Sequence, residues 1–135
     1  MYLIFDTETT GLPQNWKAPL TDFINWPRCV QLAWQVHDVE GKLVEVKNYI
    51  IKPEGYDIPF NAEKIHGIST GRANKQGMPL AEVLAEFVKD VEKCKFVVGH
   101  NVSFDNSIVG CELLRKEMPN LLADFPALDT KDDAT

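Results

Sequence analysis

The sequence predicts a single α/β domain built on a mixed sheet, and two observations carry that prediction. Strand-like and helix-like stretches follow one another as strand, hairpin, helix, strand, helix, the alternation of an α/β layout rather than of a helical bundle or a sandwich. The first strand, Leu3-Ile4-Phe5-Asp6-Thr7-Glu8-Thr9-Thr10-Gly11, is an apolar run that ends in two carboxylates, then small hydroxyl residues and a glycine. Side chains at i and i+2 of a strand share a face, with Cα atoms about 6.5 to 7 Å apart. That spacing suits two acids gripping a pair of divalent cations about 4 Å from each other. Standing alone, Asp-x-Glu reads more readily as the solvated end of a strand, because so short a motif recurs by chance.

The 135 residues, 44% hydrophobic and 25% charged, suit one domain over 1–135 with one hydrophobic core. No apolar run reaches the 18 or more residues of a membrane helix, and Met1-Tyr2-Leu3-Ile4-Phe5-Asp6 has neither the basic nor the long apolar segment of a signal peptide. A cytoplasmic protein with no membrane partner is expected. Cys29, Cys94 and Cys111 are odd in number, far apart and without a C-x-x-C pair, so reduced thiols are expected rather than disulfides or a zinc knuckle. The net charge of −6 argues against a long basic groove that tracks a nucleic-acid backbone. It leaves room for an enzyme that grips only a chain end, since bound cations reverse the charge of an acidic pocket.

After the first strand, Leu12 to Pro27 carries Pro13, Pro19 and Pro27 with Trp16, Phe23 and Trp26 between them. Prolines at that density predict a long loop, of the length that tends to be functional. Its aromatics either pack the loop onto the body or stack on a base. Val30 to His37 alternates large apolar with mostly polar residues, Glu40-Gly41 supplies a turn, and Leu43 to Ile51 is strand-like. These make an antiparallel hairpin with His37 facing solvent. Asn61 to His66 predicts a short helix capped by Asn61 and stopped by Gly67, and the polar Gly71 to Gly77 predicts a loop.

Leu80, Val83, Leu84, Phe87, Val88 and Val91 recur at helical spacing behind Pro79, which fits a first turn. Phe96-Val97-Val98-Gly99 reads as a buried parallel strand. Phe104, Ile108, Cys111, Leu114 and Met118 predict a helix that runs until Pro119. A short last strand is expected through Phe125-Pro126-Ala127-Leu128, at an edge or with an irregular start because of Pro126.

If the strand at Phe96 lies parallel to the first, both open at one edge, where α/β sheets place ligands, and Asp105 meets Asp6 and Glu8 there. Three carboxylates so close repel one another unless cations are bound, and oxygen-only ligands select Mg²⁺ or Mn²⁺ over zinc.

Asp6 to Gly11, DTETTG, and Gly99 to Asp105, GHNVSFD, resemble the first two motifs of the DEDD, or DnaQ-like, family of 3′-5′ exonucleases, which includes the proofreading epsilon subunit of bacterial DNA polymerase III. Ile65-His66-Gly67-Ile68-Ser69 is similar to a family signature between those motifs, and Leu128-Asp129-Thr130 to a strand end after the second. The resemblance covers nearly the whole chain. It implies a ribonuclease-H-like mixed sheet with strands 1–3 antiparallel and strands 4 and 5 parallel to strand 1. It also implies two-metal hydrolysis that removes nucleoside monophosphates from the 3′ end of DNA or RNA, with Mg²⁺ or Mn²⁺ as cofactors and a DNA polymerase as a possible partner. Asp6 would be shared by both cations, with Glu8 on the nucleophile side and Asp105 on the other. Thr9, Thr10 and Gly11 would contact the terminal nucleotide, and Asn101 would help hold the substrate. His66 has two roles open to it, at that nucleotide or at a helix end. Phe104 would pack under Asp105, and His100 would orient its neighbours.

The family's third motif, H-x-x-x-x-D or Y-x-x-x-D, supplies the general base and a fourth carboxylate. Here no histidine follows His100 and no tyrosine follows Tyr56, while Asp132 and Asp133 come too soon after Asp129. The expectation is a chain truncated before that motif, lacking the last helices, and inactive or impaired as it stands. The rival reading is a non-catalytic nucleic-acid-binding or protein-interaction module on the same fold.

Overall fold

The computed structural model describes residues 1–133, with side chains through Lys131. The carboxylates of Asp132 and Asp133, set aside in the sequence, lie outside the described residues. Ten elements follow in order: β1 (Tyr2–Thr9), β2 (Cys29–His37), β3 (Leu43–Ile50), α1 (Phe60–His66), α2 (Thr70–Gln76), α3 (Leu80–Val91), β4 (Phe96–Gly99), α4 (Val102–Arg115), β5 (Ala127–Asp129) and α5 (Thr130–Asp133). The sheet order is β3-β2-β1-β4-β5. The β1–β2 and β2–β3 pairs are antiparallel, and β1–β4 and β4–β5 are parallel, as expected.

Alternation decides which face of the sheet is covered. Leu3 and Phe5 of β1 point the same way as Leu32, Trp34 and Val36 of β2, and all five are buried against α3 and α4 in the main core. Helix α3 presents Leu80, Val83, Leu84, Phe87 and Val91 to it, and the Phe5 and Trp34 rings each lie 5.2 Å from the Phe87 ring. On the other face Ile4, Val44, Val46 and Leu128 are exposed. His37 lies on that open side, its ring near the Gly41 carbonyl and the Gln35 amide.

The pairing lengths shape the functional edge. Strand β4 matches β1 only from Tyr2 to Ile4, whereas β2 follows it to Thr9, with a register irregularity between Glu8 and Thr9. Asp6, Thr7 and Glu8 therefore overhang the end of β4. Irregularities of this kind re-aim side chains at strand ends.

Four sequence expectations need correction. The polar stretch Gly71 to Gly77 is mostly helix α2, not loop: Ser69 Oγ accepts the Arg72 amide at 3.0 Å as an N-cap, and Ala73 is buried in a second core with Val30, Ile58, Ala62 and Ile68. A small apolar residue seated there outweighs two glycines and a polar composition. Helix α1 begins at Phe60 behind Pro59, so Asn61 lies inside it and is not its cap; Gly67 does end it, in the left-handed conformation at φ 75°. Helix α4 stops at Arg115, short of Met118, because Glu117 takes φ 57° and the Met118 amide turns back to the Leu113 carbonyl at 2.9 Å. The last strand starts at Ala127, not Phe125.

Candidate active site

Asp6 and Glu8 sit on the face of β1 opposite Leu3, Phe5 and Thr7, Asp6 exposed and Glu8 half-buried. Asp105 comes from the first turn of α4 and is only 3% exposed. The residue that joins them is Thr7, whose hydroxyl donates to Asp105 Oδ1 at 2.6 Å. Sequence reasoning passed over Thr7, yet the same alternation that pairs Asp6 with Glu8 sends the residue between them inward. A small hydroxyl at an inward position, beside a buried acid, was the available signal.

Electrostatics records how near the acids are to one another. Burial chiefly pushes the Asp105 carboxyl up, to about 7, with the charges of Asp6 and Glu8 adding to it and the Thr7 hydrogen bond opposing. Glu8 is also raised, first by burial and then by Asp6, while His66 pulls the other way. Even so, no three His, Cys, Asp or Glu side chains among the described residues converge closely enough to cage an ion. The expected triad is gathered at one sheet edge but not closed.

The start of α4 is held from the neighbouring strand. Asn101 takes the left-handed conformation at φ 65° and offers no side-chain cap of its own. Instead Asp129, at the end of β5, accepts the Asn101 amide on Oδ1 at 2.9 Å and the Val102 amide on Oδ2 at 3.2 Å. Burial resists the charge on Asp129, but these two amides and that of Lys131 prevail and lower its proton affinity. This is an N-cap supplied in trans. His100 is exposed, with Nδ1 3.4 Å from Thr130 Oγ1.

Beside Glu8 opens a cleft of ≈ 550 Å³ whose walls include Glu8, Thr9, Thr10, Gly11 and His66, with Leu12, Ile65 and Phe104 as its apolar part. Asn101 does not line it. Thr9 Oγ1 and the Gly11 carbonyl are 2.7 Å apart, and Thr10 Oγ1 accepts the Arg28 amide at 3.0 Å, so both hydroxyls brace the turn after β1. His66 Nδ1 accepts the Ile68 amide at 3.1 Å, which puts the ring proton on Nε2. That Nε2 is buried and has no hydrogen-bond partner, a donor kept free on a residue that lines the cleft. The helix-end role foreseen for His66 is thus seen in the bond to Nδ1, and Nε2 is left without a partner.

A buried acid fastens the long loop behind this edge. Glu112 is fully buried and accepts Arg28 Nε at 3.1 Å, the Cys29 amide at 2.9 Å and an Arg115 guanidinium nitrogen at 2.7 Å. Arg115 also donates to the Phe23 and Trp26 carbonyls.

Comparison with known proteins gives three findings. A family model described as RNase_T exonuclease matches residues 3–132. The chain is 32% identical over 131 residues to a PolC-type DNA polymerase III of Streptococcus thermophilus, and 31% over 129 residues to one of Streptococcus pyogenes. Each alignment covers 96% of this chain but only 8% of the relative's length. Among solved structures, E. coli exonuclease I in complex with a dT13 oligonucleotide superposes with a TM-score of 0.77 at 22% identity, over 98% of this chain and 28% of that one. A zinc-bound form of the same protein with single-stranded DNA gives 0.80 at 23%, over 98% and 28%.

Proposed function

This chain belongs to the RNase_T exonuclease family, DEDD exonucleases with a ribonuclease-H-like fold, and from that premise we propose that it removes nucleoside monophosphates from the 3′ end of DNA by two-metal hydrolysis. The observation that carries the reading is the 2.6 Å bond by which α4 delivers Asp105 to the residue between Asp6 and Glu8. The donor set fits divalent cations: all three groups are carboxylates, and burial first, with the charge of Asp6 adding to it, raises the proton affinity of both Glu8 and Asp105, a conflict that a cation relieves. Asp6, Glu8 and Asp105 would hold Mg²⁺ or Mn²⁺, the ions that oxygen-only ligands favour. When bound, such cations supply Lewis acidity to an in-line displacement at phosphorus.

The chain's own residues position the strand. The turn at Thr9, Thr10 and Gly11 meets the terminal nucleotide, His66 Nε2–H donates to one of its oxygens, and Leu12, Ile65 and Phe104 cover the base. Relatives named as DNA polymerase III and neighbours solved with oligonucleotides support a DNA end as substrate and a DNA polymerase as partner. The His66 ring beside Glu8 already accepts the Ile68 amide on Nδ1, so it is not assigned as the general base that such a reaction uses, and slow turnover by these 135 residues is expected.

The test is incubation with a 5′-labelled single strand and Mn²⁺. Slow release of mononucleotides that Asp6→Ala abolishes is expected. Release that survives Asp6→Ala or chelation overturns the two-metal reading, whereas fast release lost in Asp6→Ala overturns only the expected impairment. The unclosed carboxylate set favours a second reading, a non-catalytic nucleic-acid-binding module. Calorimetry that finds no Mn²⁺ binding at millimolar concentration would favour it.

A further inference from the structure

The long loop between β1 and β2 carries three aromatics, and the structure gives them different duties. Trp26 is buried at 4% exposure, with Nε1 donating to the Pro19 carbonyl at 3.0 Å, and Phe23 lies under the Arg115 guanidinium. Both fasten the loop. Trp16 does not: its indole is 53% exposed, and its ring lies 5.4 Å from that of Phe104 at a tilt of 49°. Phe104 is itself part of the cleft wall, with Leu12 and Ile65, so the exposed indole packs against a residue of that wall.

The indole is also held in place. Asn15 and Asn25 exchange two hydrogen bonds, Asn15 N–H to Asn25 Oδ1 at 2.8 Å and Asn25 Nδ2 to the Asn15 carbonyl at 3.0 Å. Asn15 Oδ1 accepts the Lys17 amide at 2.9 Å. The residues on either side of Trp16 are thus pinned, and little freedom is lost when a ligand meets the ring. A rigid, half-exposed indole next to a nucleotide-sized cleft is a stacking platform for a base.

We propose that Trp16 stacks on the second base from the 3′ end of a single-stranded substrate, one nucleotide beyond the cleft. This rests on the nuclease reading above. The 49° tilt between the two rings sets the direction of specificity. Bases laid on Phe104 and then on Trp16 cannot stay parallel, so the strand must unstack between them, which a free single strand does at lower cost than a paired end.

The experiment compares dTMP with the dinucleotide pTpT, with Ca²⁺ as the cation so that hydrolysis does not intervene. Because Trp26 and Trp34 are buried at 4% and 1% exposure, a change in indole emission on binding reports Trp16. Wild type should bind pTpT about tenfold more tightly than dTMP, the gain of one stacked base, with quenched emission. Trp16→Ala should lose that gain, and Trp16→Phe should keep most of it without the emission change. A dinucleotide gain that persists in Trp16→Ala, with circular dichroism matching wild type, overturns the proposal and leaves the nuclease reading standing. No binding of either ligand to wild type overturns both.

Discussion

Thr7 and Asp105, 98 positions apart in the chain, share the 2.6 Å hydrogen bond that ties β1 to α4. Thr7 lies between the two acids of β1, so this one contact sets where the third acid stands relative to the other two. Thr7→Val keeps the shape and removes the donor. With Asp105 buried at 3% exposure, the loss should be about 1 to 3 kcal/mol, the cost of stranding a buried acceptor. Urea unfolding should show the larger loss at pH 8, where the carboxylate is charged. Equal losses at pH 5 and pH 8 would contradict a bond to the ionised group.

The Asp105 carboxyl also fixes a pH dependence. Its proton affinity in the fold rises from the ordinary 3.8 to about 7, so between those values the native state holds a proton that the unfolded chain has released. The resulting stability is complete below about pH 4 and is lost as pH rises through about 7, at most about 4 kcal/mol for a shift of this size. Without metal, thermal melts should therefore fall from pH 5 to pH 8, and Asp105→Asn should flatten the slope. Mn²⁺ competes with that proton, so the rise in Tm on adding it should be greater at pH 8 than at pH 5. A rise that is the same at both would separate metal binding from Asp105.

Glu112 offers a sharper loss. It is the acceptor shared by Arg28, Arg115 and the Cys29 amide, and Glu112→Gln removes the buried counter-charge of Arg115 and leaves Arg28 only the 4.0 Å pair with Glu54. Removing one partner of a buried ionic group costs about 3 to 5 kcal/mol. Limited proteolysis should then cut between Leu12 and Pro27, the segment whose Phe23 and Trp26 carbonyls Arg115 holds. A variant as protease-resistant as wild type would mean that the loop is fastened by Trp26 and the Asn15–Asn25 pair alone.

What the sequence revealed and what it hid have a common cause. Periodicity and the order of elements are local signals, and they were enough for the five strands, α3 and the face shared by Asp6 and Glu8. Helix α2 was missed because its stability comes from Ala73 meeting Val30 and Ile58, contacts that no window of seven residues contains. Thr7, Glu112 and the capping role of Asp129 were missed for the same reason: each acts across the sheet or along α4 on residues 27 to 98 positions away. The loop aromatics were readable as a set but not one by one, since only the fold decides which indole is buried and which is left against Phe104.

The cap that Asp129 places on α4 makes a prediction that separates structure from chemistry. Its carboxylate takes the Asn101 and Val102 amides, two of the unsatisfied donors at a helix start, so Asp129→Ala should speed hydrogen exchange at those amides and through the first turn that carries Asp105. Asp129→Asn keeps an oxygen for one amide and should fall between the two. The sign in pH is opposite to that of Asp105. Hydrogen bonds lower the proton affinity of Asp129 in the fold, so its contribution is present above the ordinary carboxylate range and disappears as pH falls through the lowered value. Exchange at Asn101 and Val102 in wild type, corrected for intrinsic rates, should therefore lose protection on acidification, while Asp129→Ala should show no such step. If the Ala variant instead keeps full protection at both amides, Asn101 holds its left-handed turn without help, and α4 aims Asp105 by packing alone.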